Sequence, residues 1–295
     1  MRLADLIKKG KETISALYPE RVAGEMVFAY MEDTLGVKRH TLVMEPEYAV
    51  TPEQAQAMLK DFCRMAAGEP LQYVTGKAYF YGRTFRVNPH VLIPRPETEM
   101  LCRTALDQIS GSGVQEAKIL DLCTGSGCIA WTMAAECGAI RGASVAQVEA
   151  VDISDGALAT AASQDFEEAV SVRFHKADIL QDPDPEIFSR KSYDIILSNP
   201  PYVMDSEKAL MRTNVLDHEP HLALFVSDDD PLVFYRAVAR WAVELLKVGG
   251  YGLVEINEAL GEQTAEVFRK AGFFGVRVIK DLSDRDRFVE FTRIN

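Results

Sequence analysis

The sequence has no long unbroken run of apolar residues. No stretch approaches about 18 consecutive apolar residues, which is the length that a helix needs to cross a bilayer. The first residues, MRLADLIKKG, also lack the apolar core and the cleavage site of a secretory signal. We therefore expect a cytoplasmic protein that has no membrane partner.

Cysteine is sparse and follows no paired spacing. The five cysteines are Cys63, Cys102, Cys123, Cys128 and Cys137. Cys123 and Cys128 lie in a glycine-rich turn, at a separation that zinc sites do not usually have. An odd number of scattered cysteines is typical of a reducing compartment rather than of a disulfide framework. We expect neither a structural disulfide nor a metal site.

Basic side chains are outnumbered by acidic ones. The chain has 32 lysines and arginines against 44 aspartates and glutamates, which gives a formal net charge of −12. A protein that holds duplex nucleic acid through its phosphates usually carries a basic face. The charge therefore argues against a stable nucleic-acid partner, although a local basic patch is compatible with an acidic total.

Residues 1–75 have the apolar periodicity of helices. The tetrapeptide Thr-Pro-Glu-Gln at 51–54 predicts a helix start, because it combines an N-cap, a proline in the first turn and a glutamine three residues after the cap. Gly68 and Pro70 predict where this helix ends. The region holds no cluster of catalytic side chains. We interpret it as a small helical bundle for docking or support.

The periodicity changes at residues 76–92. Aromatic and β-branched residues surround Gly82 there, which predicts a β-hairpin that links the helical bundle to the rest of the chain. Residues 93–295 are predicted to form the larger domain.

From residue 117 onward, candidate strands alternate with candidate helices. The strands are predicted at 118–122, 148–152, 171–175, 193–198, 250–256, 275–280 and 287–293. This alternation predicts an α/β fold with a doubly wound, seven-stranded, Rossmann-like sheet. The last two strands are joined by a short polar turn that leaves no room for a crossover helix, so the last strand should be antiparallel.

The stretch ILDLCTGSGCIA, residues 119–130, reads as a strand, a glycine-rich turn and a helix. Gly125 and Gly127 allow the backbone to turn sharply and allow a ligand to approach closely. Because Gly-x-Gly-x-x-Ala also resembles a dinucleotide fingerprint, this loop alone leaves an NAD-dependent oxidoreductase open.

Acidic residues near this loop favour S-adenosylmethionine as the cofactor. Asp152 ends the second strand, where a carboxylate can accept hydrogen bonds from both ribose hydroxyls, although an aspartate there can also cap the next helix. A charge on Asp121 would disfavour a pyrophosphate and would suit an ammonium and a sulfonium group. Asp178 can meet the adenine amine or cap its own loop, and Ile179 can pack on the adenine face. The candidate cofactor-binding residues are Asp121, Cys123, Thr124, Gly125, Ser126, Gly127, Asp152, Ile153, Asp178, Ile179 and Asn199.

The stretch DIILSNPPYV, residues 194–203, ends the fourth strand with a polar amide, two prolines and a tyrosine. In an open α/β sheet the first and fourth strands flank the switch point at which ligands bind. The Asn199 side-chain oxygen and the Pro200 carbonyl can each accept one hydrogen of a planar NH₂ group. The prolines preorganise these acceptors, and Tyr202 can stack on the flat group. We predict Asn199, Pro200 and Tyr202 as catalytic residues that need no strong base.

The same loop and two distant residues are predicted to bind the substrate. Arg95 lies between two prolines whose rigid turn would aim its side chain, and Glu219 is predicted to shape the substrate mouth. The candidate substrate-binding residues are Asn199, Pro200, Pro201, Tyr202, Arg95 and Glu219.

The sequence resembles the peptide chain release factor glutamine N5-methyltransferases, the HemK/PrmC family of class I S-adenosylmethionine-dependent methyltransferases. The resemblance is carried by GEPLQYVTGKAYFYG (68–82), VLIPRPETE (91–99), ILDLCTGSGCIA (119–130), AVDIS (150–154), SNPPYV (198–203) and DHEPHLALF (217–225). Two positions depart from the family pattern. Cys123 stands where glycine is common, and Ile179 stands where an aromatic residue often follows the acid.

The resemblance implies the reaction. The substrate would be the glutamine of the Gly-Gly-Gln loop of class 1 release factors, and the products would be N5-methylglutamine and S-adenosylhomocysteine. It implies that residues 93–295 are the methyltransferase domain and that residues 1–75 and the hairpin help to dock the release factor. We expect a monomer. The alternative is a nucleic-acid amino-methyltransferase, acting on DNA adenine N6 or rRNA guanine N2 through the same Asn-Pro-Pro-Tyr loop. A more remote alternative is the NAD-dependent oxidoreductase, which would give Asn199 and Tyr202 no role.

Overall fold

A computed structural model describes residues 1–112, 116–138, 147–166 and 170–294. The described chain divides into two compact units. The first unit consists of Met1–Lys77 and Met211–His218, and the second contains the rest of the described residues. No helix in these ranges is both long enough and apolar enough to span a bilayer.

Helices precede the first strand, and the two kinds of element then alternate along much of the described chain. The helices are α1 Leu3–Ile14, α2 Glu20–Leu35, α3 Thr41–Met44, α4 Pro52–Ala66, α5 Leu71–Thr75, α6 Pro96–Ser112, α7 Cys128–Cys137, α8 Asp155–Ala162, α9 Thr213–His218, α10 His221–Leu224, α11 Val233–Leu245 and α12 Gly261–Lys270. The strands are β1 Lys77–Phe80, β2 Arg83–Arg86, β3 Lys118–Leu122, β4 Gln147–Asp152, β5 Val172–Lys176, β6 Tyr193–Ser198, β7 Val203–Met204, β8 Phe225–Val226, β9 Leu246–Glu255, β10 Phe274–Lys280 and β11 Asp286–Thr292. Two 3₁₀ turns cover Asp205–Leu210 and Glu258–Leu260.

The first unit is helical, as the periodicity predicts. Its helix α4 begins with a complete capping box, because the Thr51 hydroxyl accepts from the Gln54 amide at 3.2 Å and the Gln54 side chain accepts from the Thr51 amide at 3.0 Å. The apolar faces of α1, α2 and α4 form one core, in which the rings of Tyr30 and Phe62 meet edge to face at 5.2 Å.

The predicted hairpin is present as the two-stranded sheet β1–β2. Tyr81 and Gly82 form its turn, with positive φ angles of 48° and 75°. Phe80 and Phe85 are fully buried and pack against each other at a ring distance of 6.0 Å. Phe80 and Phe85 belong to the hydrophobic core of the second unit, and they anchor the hairpin there.

The second unit is built on a seven-stranded sheet of order β10-β11-β9-β6-β3-β4-β5. Strands β9, β6, β3, β4 and β5 are parallel, while β11 is antiparallel to both β9 and β10. The predicted α/β class, the seven strands and the antiparallel last strand are confirmed. Because β3 and β6 are neighbours, the glycine loop and the Asn-Pro-Pro-Tyr loop leave the same edge of the sheet side by side.

Both faces of the sheet are covered, which explains the apolar character of the central strands. Ile119 of β3 packs on the face covered by α6 and α7. The next residue, Leu120, packs on the opposite face, which α11 and α12 cover. Polar side chains stand where two of the central parallel strands end, since Asp152 is the last residue of β4 and Ser198 is the last residue of β6.

Candidate active site

The glycine loop turns sharply between β3 and α7. Three consecutive odd positions have left-handed backbone: Cys123 at φ 61°, Gly125 at φ 54° and Gly127 at φ 79°. A Cβ at Gly127 would approach Trp131 to 2.9 Å, so the loop needs glycine there for space as well as for conformation. Cys123 adopts a conformation that costs a residue with a Cβ roughly 1–2 kcal/mol. The departure from glycine noted in the sequence is thus a site of backbone strain.

Asp152 accepts backbone hydrogen bonds through both carboxylate oxygens, one from the glycine loop and one from its own turn after β4. Its Oδ2 accepts from the Gly125 amide and its Oδ1 accepts from the Ser154 amide, each at 2.9 Å. Burial raises the pKa of Asp152, while the hydrogen bonds from Ser154 and Gly125 lower it. Ser154, not Asp152, caps α8, since its hydroxyl accepts from the Ala157 amide at 3.2 Å. The capping alternative for Asp152 is therefore absent from the described structure.

Asp121 lies behind the loop and not on the wall of the cavity that the loop borders. Its side chain is fully buried, and its Oδ2 accepts from the Thr124 hydroxyl at 2.6 Å. Burial raises the pKa of Asp121 to about 7, against the effect of that hydrogen bond. Thr124, which does line the cavity, separates the carboxyl from the open space.

Asp178 and two isoleucines form another part of the same wall. The Asp178 carboxylate accepts from the Leu180 amide at 2.9 Å, so the loop-capping alternative is present, but the residue also faces the cavity. Ile179 is 5% exposed and Ile153 is 44% exposed, and both line the cavity. The wall therefore combines an acid with apolar surface.

These residues surround a cavity of about 260 Å³. The predicted site residues on its wall are Arg95, Cys123, Thr124, Gly125, Ser126, Asp152, Ile153, Asp178, Ile179, Asn199 and Pro201. The predicted site residues that do not line it are Asp121, Gly127, Pro200, Tyr202 and Glu219. Lining residues that the sequence did not single out include His90, Leu92, Thr98, Leu222 and Phe234.

The Asn-Pro-Pro-Tyr loop begins where β6 ends. Ser198 ties the end of β6 to β3, because its hydroxyl donates to the Leu122 carbonyl at 2.8 Å. Pro200 and Pro201 are buried, and Asn199 donates from Nδ2 to the Thr98 hydroxyl at 3.2 Å. The loop thus brings the Asn199 side chain to the cavity and fixes one end of its amide.

Tyr202 is held by a buried carboxylate. Its hydroxyl donates to Glu255 Oε1 at 3.1 Å, and burial and the Glu255 carboxylate raise the pKa of the phenol well above its usual value. The predicted stacking role requires the ring on the cavity wall, where it does not lie in this structure. The contact instead anchors the far end of the loop.

Sequence reasoning missed the residues that hold this loop from β9 and α6. The Thr98 hydroxyl donates to Glu255 Oε2 at 2.7 Å, and the Asn257 side chain donates to the Tyr202 carbonyl at 3.1 Å. Burial raises the pKa of Glu255, while its hydrogen bonds from Thr98 and Tyr202 lower it. A polar residue at the end of the strand next to β6 was the available signal, because such ends meet at one edge of the sheet.

Glu219 acts behind the wall rather than on it. It is 4% exposed, pairs with Arg95 at 2.7 Å and accepts from the Ile93 amide at 3.1 Å. These two contacts hold the segment that contains Leu92 and Arg95, both of which line the cavity. Arg95 lies in the turn between two prolines, and in this structure its guanidinium is held by the Glu219 carboxylate.

Among the described residues, no group of three or more histidine, cysteine, aspartate or glutamate side chains is arranged to hold a metal ion.

The chain is similar to known proteins over nearly its whole length. A Bacteroides thetaiotaomicron protein named release factor glutamine methyltransferase is 38% identical over 283 residues, which are 96% of this chain and 97% of that protein. A Flavobacterium psychrophilum protein of the same name is 36% identical over 280 residues, which are 95% of each. Residues 5–76 match the PrmC N-terminal domain, and residues 98–222 match the methyltransferase small domain.

The fold is also similar to a solved methyltransferase. The T. thermophilus 16S rRNA N2 G1207 methyltransferase, solved with AdoMet and guanosine, aligns at a TM-score of 0.50 with 18% identity. The alignment covers 74% of this chain and 50% of that chain. At this identity the match bears on the fold alone.

Proposed function

The chain belongs to the release factor glutamine methyltransferase family, and we propose that it transfers a methyl group from S-adenosylmethionine to the side-chain nitrogen N5 of the Gly-Gly-Gln glutamine of class 1 release factors. The observation that carries the proposal is the cavity, whose wall joins the glycine loop and Asp152 to Asn199. A nucleoside cofactor and a planar amide would share this space.

The cofactor side of the cavity fits an adenosyl group. Each Asp152 oxygen accepts one backbone hydrogen and retains a lone pair, which suits two ribose hydroxyls. The apolar surfaces of Ile153 and Ile179 suit the two faces of adenine, and Asp178 suits its exocyclic amine. When bound, S-adenosylmethionine supplies a methyl carbon that its sulfonium makes electrophilic.

Asp121 contributes to the cofactor side of the cavity indirectly, through Thr124. Its carboxylate accepts a hydrogen bond from the Thr124 hydroxyl, and Thr124 faces the cavity. A nearby cation favours the ionised form of a buried carboxyl. We assign Asp121 the role of holding Thr124 and of favouring a cationic ligand over a pyrophosphate.

The substrate side holds an NH₂ group by its hydrogens. Because Asn199 donates from Nδ2 to Thr98, its Oδ1 remains as an acceptor for the substrate. The Pro200 carbonyl is the proposed second acceptor, and the fixed φ of the two prolines limits its movement. Accepting both hydrogens localises the nitrogen lone pair and directs it, so that positioning supplies the rate advantage and no strong base is needed. The surplus proton leaves after transfer.

The release factor would be recognised over a wider surface than one glutamine. We propose that the helical first unit and the hairpin β1–β2 dock the factor. The match of residues 5–76 to the PrmC N-terminal domain supports a role specific to this family. We also propose that the chain acts as a monomer in the cytoplasm, where release factors work.

The test is methyl transfer from tritiated S-adenosylmethionine to a purified class 1 release factor, with duplex DNA and ribosomal RNA as the competing acceptors. We expect label on the release factor alone, and peptide mass spectrometry should place one added methyl group on the Gly-Gly-Gln glutamine. A release factor in which that glutamine is replaced by glutamate is the matched control. Label on a nucleic acid, or on the control factor, would overturn the proposal.

A further inference from the structure

A buried carboxylate joins three segments of the active site. Glu255 is the last residue of β9, is 1% exposed and lies one position beyond the Ser198–Val254 pair of the parallel strands. Two hydroxyl groups donate to it: Thr98 to Oε2 at 2.7 Å and Tyr202 to Oε1 at 3.1 Å. Thr98 belongs to α6, and Tyr202 belongs to the loop that carries Asn199.

The direction of each hydrogen bond in this cluster follows from the carboxylate. In its ionised form, which the hydrogen bonds from Thr98 and Tyr202 and the nearby Arg287 favour against burial, Glu255 only accepts hydrogen bonds, and a hydroxyl group has a single hydrogen to donate. The Thr98 hydrogen is therefore directed to Glu255, and the Thr98 oxygen can only accept from Asn199. The Asn199 group at 3.2 Å from that oxygen must be its NH₂ group.

We propose that Glu255 and Thr98 are positioning residues that determine which end of the Asn199 amide faces the cavity. An asparagine amide has nearly the same shape after a half turn, but the turn exchanges an acceptor for a donor. With the NH₂ group held by Thr98, Oδ1 faces the reacting nitrogen and accepts its hydrogen. The reversed amide would oppose N–H to N–H and could not hold that nitrogen.

The same carboxylate also restrains the loop as a whole. Through Tyr202 it grips the loop three residues beyond Asn199, and the Asn257 side chain adds a bond to the Tyr202 carbonyl at 3.1 Å. A carboxylate is required here rather than any acceptor. The amide of a glutamine could donate to Thr98, turn the Thr98 hydrogen toward Asn199 and so favour the reversed amide.

The inference rests on the proposed function, because the reacting nitrogen is taken to be an amide NH₂. Its variants are Thr98→Val, which keeps the shape and removes the hydroxyl, Thr98→Ser, which keeps the hydroxyl, and Glu255→Gln. The matched control is Glu290→Gln on β11, since Glu290 is also buried and also accepts from a tyrosine, Tyr251, at 2.9 Å. Glu290 has no part in holding Asn199.

We expect Thr98→Val and Glu255→Gln to lower kcat for methyl transfer by about 10- to 100-fold, the scale of a misplaced catalytic group. The KM for the release factor and the calorimetric Kd for S-adenosylmethionine should change by about twofold or less, because the proposed ligand contacts are made by Asp152, Asn199 and Pro200 and Thr98 only borders the cavity. Thr98→Ser should restore most of the turnover, and Glu290→Gln should behave as the wild type. Equal kcat in Thr98→Val and wild type would overturn the inference.

A second measurement separates this inference from the proposed function. The side-chain ¹⁵N resonance of Asn199, assigned by its loss in Asn199→Asp, should show hydrogens protected from exchange in wild type, Thr98→Ser and Glu290→Gln. That protection should be lost in Thr98→Val and Glu255→Gln. If the wild type does not methylate release factors, the proposed function fails. Unaltered protection in Thr98→Val and Glu255→Gln would overturn the amide orientation, whatever the result of the methylation assay.

Discussion

At the scale of single residues, Asn199 is the side chain on which methyl transfer should depend most. We expect Asn199→Ala to lower turnover by about 100-fold or more, because it removes a preorganised acceptor for the reacting nitrogen. The affinity for S-adenosylmethionine should be unchanged, since Asp152 and the glycine loop provide the main contacts on that side. Single-turnover kinetics and calorimetry on the same variant test the two statements separately. Turnover equal to that of the wild type would contradict the acceptor role of Asn199.

Asp152 should have the opposite profile. We expect Asp152→Ala to weaken cofactor binding by about 10- to 100-fold, because the two Asp152 oxygens are the proposed acceptors for the ribose hydroxyls and charge-assisted hydrogen bonds are the strong ones. Asp155→Ala is the matched control, as this exposed aspartate of α8 forms a surface ion pair with Lys176 at 2.6 Å. Isothermal calorimetry with both variants decides, and equal affinity of the two would contradict the ribose assignment.

Asp121 predicts a dependence of stability on pH. Burial raises the pKa of this carboxyl from 3.8 to about 7 in the folded chain, so the folded state binds a proton that the unfolded state has released. Its contribution to the free energy of unfolding is therefore fully present below about pH 4 and is lost as the pH rises through about 7, by an amount on the order of 4 kcal/mol.

The measurement is chemical denaturation of wild type and Asp121→Asn at pH 5 and pH 8. The difference between wild type and variant should change between the two pH values, since the variant has no proton to release. The exposed Asp107→Asn is the control and should run parallel to the wild type. A constant difference for Asp121→Asn would exclude a raised pKa at this site.

The sequence predicted the residues of the site that follow directly from a strand end. Asp152, Asp178 and Asn199 could be identified because parallel strands place their carboxyl ends at one edge of the sheet. Thr98 and Glu255 could not, because they are 157 positions apart and their contact exists only after α6 has packed on the sheet. The side-chain directions of Tyr202 and Glu219 were likewise decided by buried partners that local sequence does not reveal.

At the scale of secondary structure elements, the seven strands of the large sheet were predictable along the chain, but not every boundary was. Strand β9 begins at Leu246, four residues before the predicted start at 250. Lys247, Gly249 and Gly250 interrupt the apolar pattern there, and the register with β6 shifts in the same place. The strands β7 and β8 have two residues each, too few to produce a periodic signal.

The pairing of β9 with β11 depends on one glycine. A Cβ at Gly252 would approach the Phe291 ring to 2.1 Å, a distance that real structures do not contain. We expect Gly252→Ala to reduce the free energy of unfolding by about 2–3 kcal/mol, as overpacking of a well-filled core does.

Gly111→Ala is the control for this prediction. Among the residues that the structure describes, nothing lies within 4 Å of a Cβ at Gly111 in α6, so this change should be neutral or stabilise by up to about 1 kcal/mol. Urea denaturation of the two variants gives the comparison. If both variants behave alike, the close approach of Phe291 does not limit the sheet.

At the scale of the whole molecule, a docking role for the first unit predicts a preference for intact release factors. A free peptide that contains Gly-Gly-Gln should have a KM at least about tenfold above that of the folded factor, because the peptide lacks the additional surface that raises the effective concentration of the glutamine. The kcat should change less than KM, since the cavity residues act on the same side chain. Steady-state assays with the two substrates measure both constants, and equal KM values would count against docking.

The overall architecture was accessible from the sequence because each level of pattern agreed with the others. Helical periodicity, the hairpin at Gly82 and the alternation of strands and helices predict the elements in order. The packing of residues 211–218 with the first unit was not predicted. That short stretch lies between two parts of the second unit in the chain, and only long-range contacts assign it to the helical core.

The position of β11 imposes an order on synthesis. This strand is made after β9 and β10 yet lies between them, so neither of those two strands can complete its pairing until residues 286–292 have left the ribosome. Until then β9, which ends in Glu255, presents an unpaired edge that other chains can join. A nascent molecule should therefore complete the sheet beside its amide-holding loop only after residues 286–292 have been made.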